Sequence, residues 1–440
     1  MKDIIRAVES YKDDIFAAER YIWKNPETGY KEFKTSAYME KKFRELGYEL
    51  TLADGITGFY TVVDTGKEGP EVLVLAELDS VVCPEHPEAD KETGAVHACG
   101  HNAQCAAMLG IAAALKDESV LSGLVGRIRL CVVPAEELLE IEYRRTLAAQ
   151  GKIKYFGGKC EFLHRGYFDG VDIALMIHTA GGYGVAPCSN GCIAKNIIYK
   201  GVAAHAGGSP HDGRNALYAA TCGINAINAI RETFKDGDHV RVHPIITHGG
   251  EIVNAIPDRV TLESYVRGKT FNAIETNNKK VDRALCGAAL SIGTNVEIVN
   301  ISGYSPLYND KNMIALSIES AKAALGVDFC LGNDDTGSTD MGDLSCIMPV
   351  VHPYCAGAKG RGHGSNYEIH DPEAACIKSA IWQVAMVKML LENNADRAKR
   401  IIDEFKPQFA SKEEFLAYKD SLNDSGDRIT YLDGKAEVRL

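Results

Sequence analysis

EVLVLAELD, residues 71–79, decides the fold: five apolar residues in a row follow Glu71, and the run closes on Glu77 and Asp79. A continuous apolar run of this length lacks helical periodicity and is the pattern of a strand buried on both faces of a sheet. Two more runs share it, GRIRLCVVPAEE (126–137), closing on Glu136 and Glu137, and VDIALMIHT (171–179), closing on His178 and Thr179. Helical patterns such as NAQCAAMLGIAAALKD (102–117) lie between them. The first half therefore predicts an α/β sheet with helices on both faces. Each strand ends on polar groups, and that carboxyl edge is where open α/β sheets bind ligands.

Between the first two strands lies HACGHNAQC (97–105), which packs His97, Cys99, His101 and Cys105 into nine positions. The chain around it is 440 residues long, enough for two domains. With 45% hydrophobic and 25% charged residues it has the composition of a soluble globular protein. The net charge of −12 and the absence of a long basic run exclude nucleic acid as a partner. Thirteen scattered cysteines, an odd number, argue for reduced thiols rather than a disulfide framework. The apolar run AAMLGIAAAL (106–115) is about half of what a bilayer requires, and the amino terminus lacks the apolar core of a signal peptide. The expectation is a cytoplasmic protein with no membrane partner.

From 190 to 305 the texture changes to amphipathic strands, GCIAKNIIYKG (191–201), RVHPIITHGG (241–250), RVTLESYVRG (259–268) and NVEIVNISGY (295–304), interleaved with helices over 215–234 and 271–289. A helix at 309–325 and further polar motifs follow. Residues 190–305 thus read as an α+β unit inserted into a domain made of 1–189 and 306–440. The last 45 residues read as charge-rich helices, a packed or dimer-side extension.

Cys99 and His101 are spaced so that one turn after a strand can direct both at one centre, with Glu137 and His178 arriving from neighbouring strand ends. Such a mixed S/N/O set suits Zn²⁺, Mn²⁺ or Co²⁺. There is no paired C-x-x-C of a structural zinc module here, so a catalytic site with an open position fits better. Taken singly, His178 also reads as a hydrogen-bonded core histidine and Glu136–Glu137 as a solvated helix start. Two adjacent carboxylates directly after LCVVPA are costly at a buried strand end unless a cation or proton offsets them.

HACGHN, VVPAEE, the strand-end IHT, GVAAHAGGSPH (201–211), GGEIVNAIPDRVTLESYVRG (249–268) and RGHGSNYEIHDPE (361–373) together resemble the M20 metallopeptidase family, in its amidohydrolase branch. GHN, ELDS and STDMGDLS are most similar to the aminobenzoyl-glutamate hydrolase and aminoacylase-like subgroup, over roughly residues 10–390. The resemblance implies a phosphorylase/hydrolase-like catalytic domain with a mixed sheet, a ferredoxin-like lid and a homodimer formed through the lids. It implies two divalent ions, zinc or manganese, with Cys99 bridging, His101 and His178 on one ion, and Glu137 and His363 on the other. Glu136 would be the general base and Asp79 would orient a ligand. His205 would cross the dimer interface to stabilise the oxyanion, Asn254 and Arg267 would bind the substrate carboxylate, and His211 would approach from the lid. The chain departs from the branch at Asn102 and Gln104, where Asp and His are usual, and at Glu77, where Asp is common; Glu77 is not read as a ligand. His97 can hydrogen-bond beside His101, whereas His248, His352 and His370 read as surface or packing residues and Cys105, Cys131 and Cys346 as core.

The expected activity is hydrolysis of a carboxylate-bearing small amide, an N-acyl amino acid, aminobenzoyl-glutamate-like compound or dipeptide-like amide, with Glu136 moving the proton. Two rivals stand beside it. Cys99 as a metal-free nucleophile leaves Glu137, His178 and His363 without a role. A catalytically weak metal- or ligand-binding protein is motivated by Asn102 and Gln104.

Overall fold

The computed structural model describes residues 1–440. Its central sheet orders the strands Thr51–Leu52, Phe59–Asp64, Arg127–Val133, Glu71–Glu77, Ile173–Leu175 and Val350–Val351. The last four run parallel, and Phe59–Asp64 pairs antiparallel with Arg127–Val133, so the sheet is mixed. The unbroken apolar runs follow from burial on both faces. Val72, Val74, Ala76, Ile128, Leu130 and Val132 pack with the helices Lys12–Trp23, His101–Ala114 and Ser379–Leu391. Leu73, Leu75, Cys131 and Val133 point the other way, towards Phe162, Leu163, Met341, Leu344 and Phe415. One stretch, Glu373–Leu391, is long and apolar enough to cross a membrane, but 83% of its apolar window is buried inside the fold.

The run 171–179 is not one strand. Ile173–Leu175 joins the central sheet, whereas His178–Thr179 pairs with Tyr354–Cys355 in a second, small sheet. The break turns His178 out of the core and towards the carboxyl edge, where the Glu71–Glu77 and Arg127–Val133 strands also end.

The inserted unit is an antiparallel sheet in which Arg241–Val242 and Ile245–His248 pair along one edge of Arg259–Gly268, followed by Gly191–Lys200 and Asn295–Ser302. Gly191–Lys200 pairs along its whole length, from Gly191 opposite Gly268 to Lys200 opposite Arg259. Helices Ala216–Ile230 and Phe271–Ile292 bury Ala219, Ala220, Val281 and Leu285 against Ile197, Tyr199, Leu262 and Ile298. Chain order βαββαβ with the last strand beside the first is the ferredoxin-like arrangement.

The carboxyl-terminal segment corrects the sequence reading in two respects. Helices Asp396–Glu404 and Lys412–Ser421 are present, but Asp424–Asp427 is a strand and Ile429–Leu432 with Lys435–Val438 a hairpin. Asp424–Asp427 pairs antiparallel with Asn295–Ser302, so the end of the chain belongs to the lid sheet rather than to the domain of 306–440. DSGD has neither strand propensity nor alternation; the open edge of Asn295–Ser302 makes it a strand.

Candidate active site

A cavity of about 330 Å³ opens where the strand ends meet the lid. It is lined by Cys99, Glu136, Glu137, His178 and His363, together with Tyr265, Arg267, Tyr304, Asp335 and Ser338.

Local backbone geometry places the ligating candidates. Gly100, at φ +89°, turns the chain between Cys99 and the His101–Ala114 helix, and a Cβ there would lie 2.4 Å from the Tyr367 hydroxyl. Only glycine fits, and it sends Cys99 and His101 into one space. Ala135 (φ 55°) and His363 (φ 60°) are left-handed without being glycine. Such strain persists where surrounding contacts over-determine it. At Ala135 the restraint is the buried Glu32 carboxylate, which accepts the Ala135 N–H at 2.8 Å just ahead of Glu136.

Two sets of three side chains converge, Cys99 with His101 and His178, and Cys99 with Glu137 and His363; within each set the donor atoms lie within 4.8 Å of one another. Cys99 Sγ is common to both. His178 Nε2 approaches it at 3.4 Å, while His178 Nδ1 is engaged with the Thr179 carbonyl at 2.9 Å. His101 Nδ1 lies 2.8 Å from the Asp79 carbonyl, and Asp79 Oδ2 accepts the Glu137 N–H at 2.8 Å. Asp79 thus fixes residues of both sets from behind.

The remaining donor atoms point at each other without bonding. His363 Nε2 stands 3.0 Å from Glu137 Oε1, and His101 Nε2 3.2 Å from Glu77 Oε2. Yet Glu137 Oε1 and His101 Nε2 are buried without a hydrogen-bond partner. Unbonded donor atoms converging from several elements fit divalent cations, and a thiolate shared by two sets fits a pair of them.

The electrostatics agree. Burial and Glu137 push the Cys99 thiol up, but His178 and His101 outweigh them and hold it at about 6, so it is readily a thiolate. Burial likewise opposes the Glu137 charge, and His363 prevails, bringing Glu137 to about 2. His363 is in turn raised to about 11 by Glu137. Glu136 behaves oppositely: burial, then the charges of Glu77, Glu137 and Asp340, push its carboxyl well above the usual range. The carboxyls of two adjacent glutamates are thereby pushed in opposite directions, Glu137 down and Glu136 up.

The departures at 102 and 104 have structural counterparts. Asn102 Nδ2 donates to the buried Glu19 carboxylate at 2.8 Å, and Gln104 Nε2 donates to Glu77 Oε2 at 2.9 Å. The other Glu77 oxygen pairs with Lys159, which is fully buried and also pairs with Asp340. Glu77 also groups with His101 and Glu136 within ligating distance, but both its oxygens are already bonded.

Of the lid residues, Arg267 reaches the cavity, with Nη1 3.4 Å from Ser338 Oγ and Nε buried and unpaired. His205, His211 and Asn254 do not line it; all three are exposed on the lid. His205 Nδ1 accepts the Gly207 and Gly208 N–H groups at 3.1 and 2.9 Å. His97 is fully buried, and burial lowers it to about 3. Neither of its ring nitrogens is hydrogen-bonded. His352 is a packing residue, as the sequence reading allowed, set edge-on against His178 and Tyr354, and it also lines the cavity. It follows the apolar pair Val350–Val351 and so carries the same strand-end signal as Glu136. Asp335 and Lys159 sit in an irregular loop and a short helix, where no such signal exists.

Comparison with known proteins gives the site a context. The model of peptidase family M20/M25/M40 matches residues 73–388, more than half of the chain. An N-acetyl-L-cysteine deacetylase of Bacillus subtilis is 28% identical over 88% of this chain and 91% of its own length. An Xaa-Arg dipeptidase of Mus musculus is 28% identical over 79% of this chain and 77% of its own. One of the polypeptides of the p-aminobenzoyl-glutamate hydrolase of Escherichia coli is 26% identical over 62% of this chain and 70% of its own. Among solved structures, a dinuclear metal-binding M20 peptidase of Bacillus subtilis superposes with TM-score 0.62 at 20% identity, over 87% of this chain and 99% of that one.

Proposed function

Since this chain belongs to peptidase family M20/M25/M40 and is a metal-dependent hydrolase of amide or peptide bonds, we propose that it cleaves the amide of an N-acyl amino acid or a dipeptide-like compound between its two domains. The observation that carries this reading is the pair of ligand sets sharing Cys99 Sγ, beside a glutamate whose buried carboxyl is raised towards proton affinity. The relatives named after N-acetyl-L-cysteine, Xaa-Arg and p-aminobenzoyl-glutamate support it, because each bond carries an amino acid on its nitrogen side.

Two divalent ions, zinc or manganese, held by Cys99, His101, His178, Glu137 and His363 would supply Lewis acidity to a water and to the scissile carbonyl. Glu136 takes the proton from the attacking water and delivers it to the leaving nitrogen. Its raised pKa matches that task, since the carboxyl must hold the proton between the two transfers. Arg267, with an unpaired buried Nε, binds the substrate carboxylate.

His205, Asn254 and His211 belong to this reading through a second copy of the chain. Val202, Tyr218, Ile245, Ile246, Ile252 and Val253 are large apolar residues exposed on the same lid, Val253 at 99%. A homodimer through the lids would cover them and carry His205 to the partner's oxyanion. The odd number of scattered cysteines is the sequence feature behind the proposed cytoplasmic location.

The test is a panel of N-acyl amino acids, short dipeptides and aminobenzoyl-glutamate, assayed with wild type and Glu136→Gln. Hydrolysis by the wild type, with kcat lowered about 10²- to 10⁴-fold in the variant, is expected. Equal rates in both proteins would remove Glu136 from the reaction.

A further inference from the structure

Outside the ligand sets and Glu136, two charged groups that commonly bind ligands line the cavity, Arg267 and Asp335. They stand on adjoining segments. Arg267 lies opposite Cys192 in the lid sheet, and the Asp335 N–H donates to the carbonyl of Cys188 at 2.9 Å. Neither group neutralises the other or is neutralised by a third. The neighbouring Asp334 shows the contrast, since it is paired with Lys269. Asp335 accepts only the Gly337 N–H, at 3.0 Å, and the Tyr354 hydroxyl, at 3.3 Å. Those two bonds aim the carboxylate without cancelling its charge. As the cavity closes around a ligand, an uncompensated carboxylate is costly unless that ligand brings a cation.

Ser338, the residue Arg267 reaches, lies three positions from Asp335 in the same loop, and both line the same cavity. A ligand whose carboxylate meets Arg267 therefore presents the rest of the same amino acid to Asp335. Resting on the amidase reading above, we propose that Asp335 is a specificity-determining residue that receives a cationic side chain, so that the preferred leaving amino acid is basic, with an ammonium or guanidinium group. The site then reads a zwitterionic pattern, an anion on Arg267 and a cation on Asp335, while the acyl half is selected elsewhere.

The experiment compares kcat/KM of the metal-loaded, full-length enzyme for Nα-acetyl-L-lysine and for Nα-acetyl-L-norleucine, which is of similar length and uncharged. It is repeated with Asp335→Asn and Asp335→Lys, and the Kd values of free L-lysine and L-norleucine are measured in parallel by calorimetry. A charge-assisted hydrogen bond predicts a preference for lysine of about tenfold or more. That preference should fall towards unity in Asp335→Asn and reverse in Asp335→Lys, with Nα-acetyl-L-glutamate becoming the better substrate. Hydrolysis of both compounds without a lysine preference, or with one that Asp335→Asn leaves intact, overturns the proposal while the amidase reading stands. No hydrolysis, together with an Asp335-dependent preference for lysine in binding, supports the proposal and overturns the amidase reading. No hydrolysis and no binding preference overturns both.

Discussion

Cys99 and Glu136 show how much chemistry local environment extracts from ordinary side chains. The same burial that raises the Glu136 carboxyl is outweighed at Cys99 by two imidazoles, so neighbours, not residue type, decide the direction in which each group is pushed. His352 is the complementary case. Burial, then the charge of His178, lowers it to about 3, so it is neutral in the fold and must gain a proton when the chain unfolds below about pH 6.5. A folded pKa below the unfolded value means stability that is complete above pH 6.5 and is lost as pH falls towards 3. His352→Gln, which keeps a neutral polar group, should flatten the acid side of the urea-denaturation profile relative to wild type by up to about 1.4 kcal/mol per pH unit. Parallel profiles for the two proteins would show that His352 does not stay neutral. At this scale the sequence was legible wherever a polar residue ended an apolar strand, as at Asp79, Glu136 and Glu137. It was silent at Asp335, whose position depends on how a loop folds back onto Cys188.

Among the elements, the short helix Gly158–His164 does more than its seven residues suggest. It carries Lys159 beneath the site, where the ammonium ties Glu77 to Asp340 and Gln104 completes the Glu77 contacts. Removing one partner of such a buried set leaves carboxylates without compensation, which typically costs about 3–5 kcal/mol. Lys159→Met should therefore lower the unfolding free energy by about that amount in urea denaturation. A change below about 1 kcal/mol would mean that Glu77 and Asp340 find other partners, contrary to the geometry. The strands of the central sheet were legible because burial on both faces writes a continuous apolar run into the chain. Asp424–Asp427 was not, because its strand conformation is imposed by the edge it joins. For the same reason 171–179 looked like one strand: apolarity records burial, and it continues through the break between Leu175 and His178.

At the scale of the molecule, the helix Lys412–Ser421 and the strand Asp424–Asp427 tie the two domains together. Lys419, buried on Lys412–Ser421, pairs with Asp343 of the catalytic domain and donates to the Gly303 carbonyl just after the lid strand Asn295–Ser302, while Tyr418 donates to Glu275 of the lid at 2.7 Å. The opposite edge of the lid sheet remains open and apolar at Ile245 and Ile246. If that face makes the dimer, Val253→Asp should shift the protein from dimer to monomer in sedimentation and lower kcat with metal content intact, because His205 would no longer meet a partner's site. Monomeric protein with full activity would confine catalysis to one chain. The separate antiparallel sheet entered at Gly191 was legible from the change of strand texture near residue 190; the return of the chain's end to the lid was not, since it depends on a contact between residues more than a hundred positions apart.

The shared thiolate is tested most directly by metal content, measured by mass spectrometry on protein purified without chelator, wild type beside Cys99→Ala. About two divalent ions per chain in the wild type, falling together with amide hydrolysis in the variant, is the expected result. Wild-type protein that hydrolyses the same amides without bound metal, or a Cys99→Ala variant that keeps both ions and full activity, would contradict a two-metal centre bridged by Cys99.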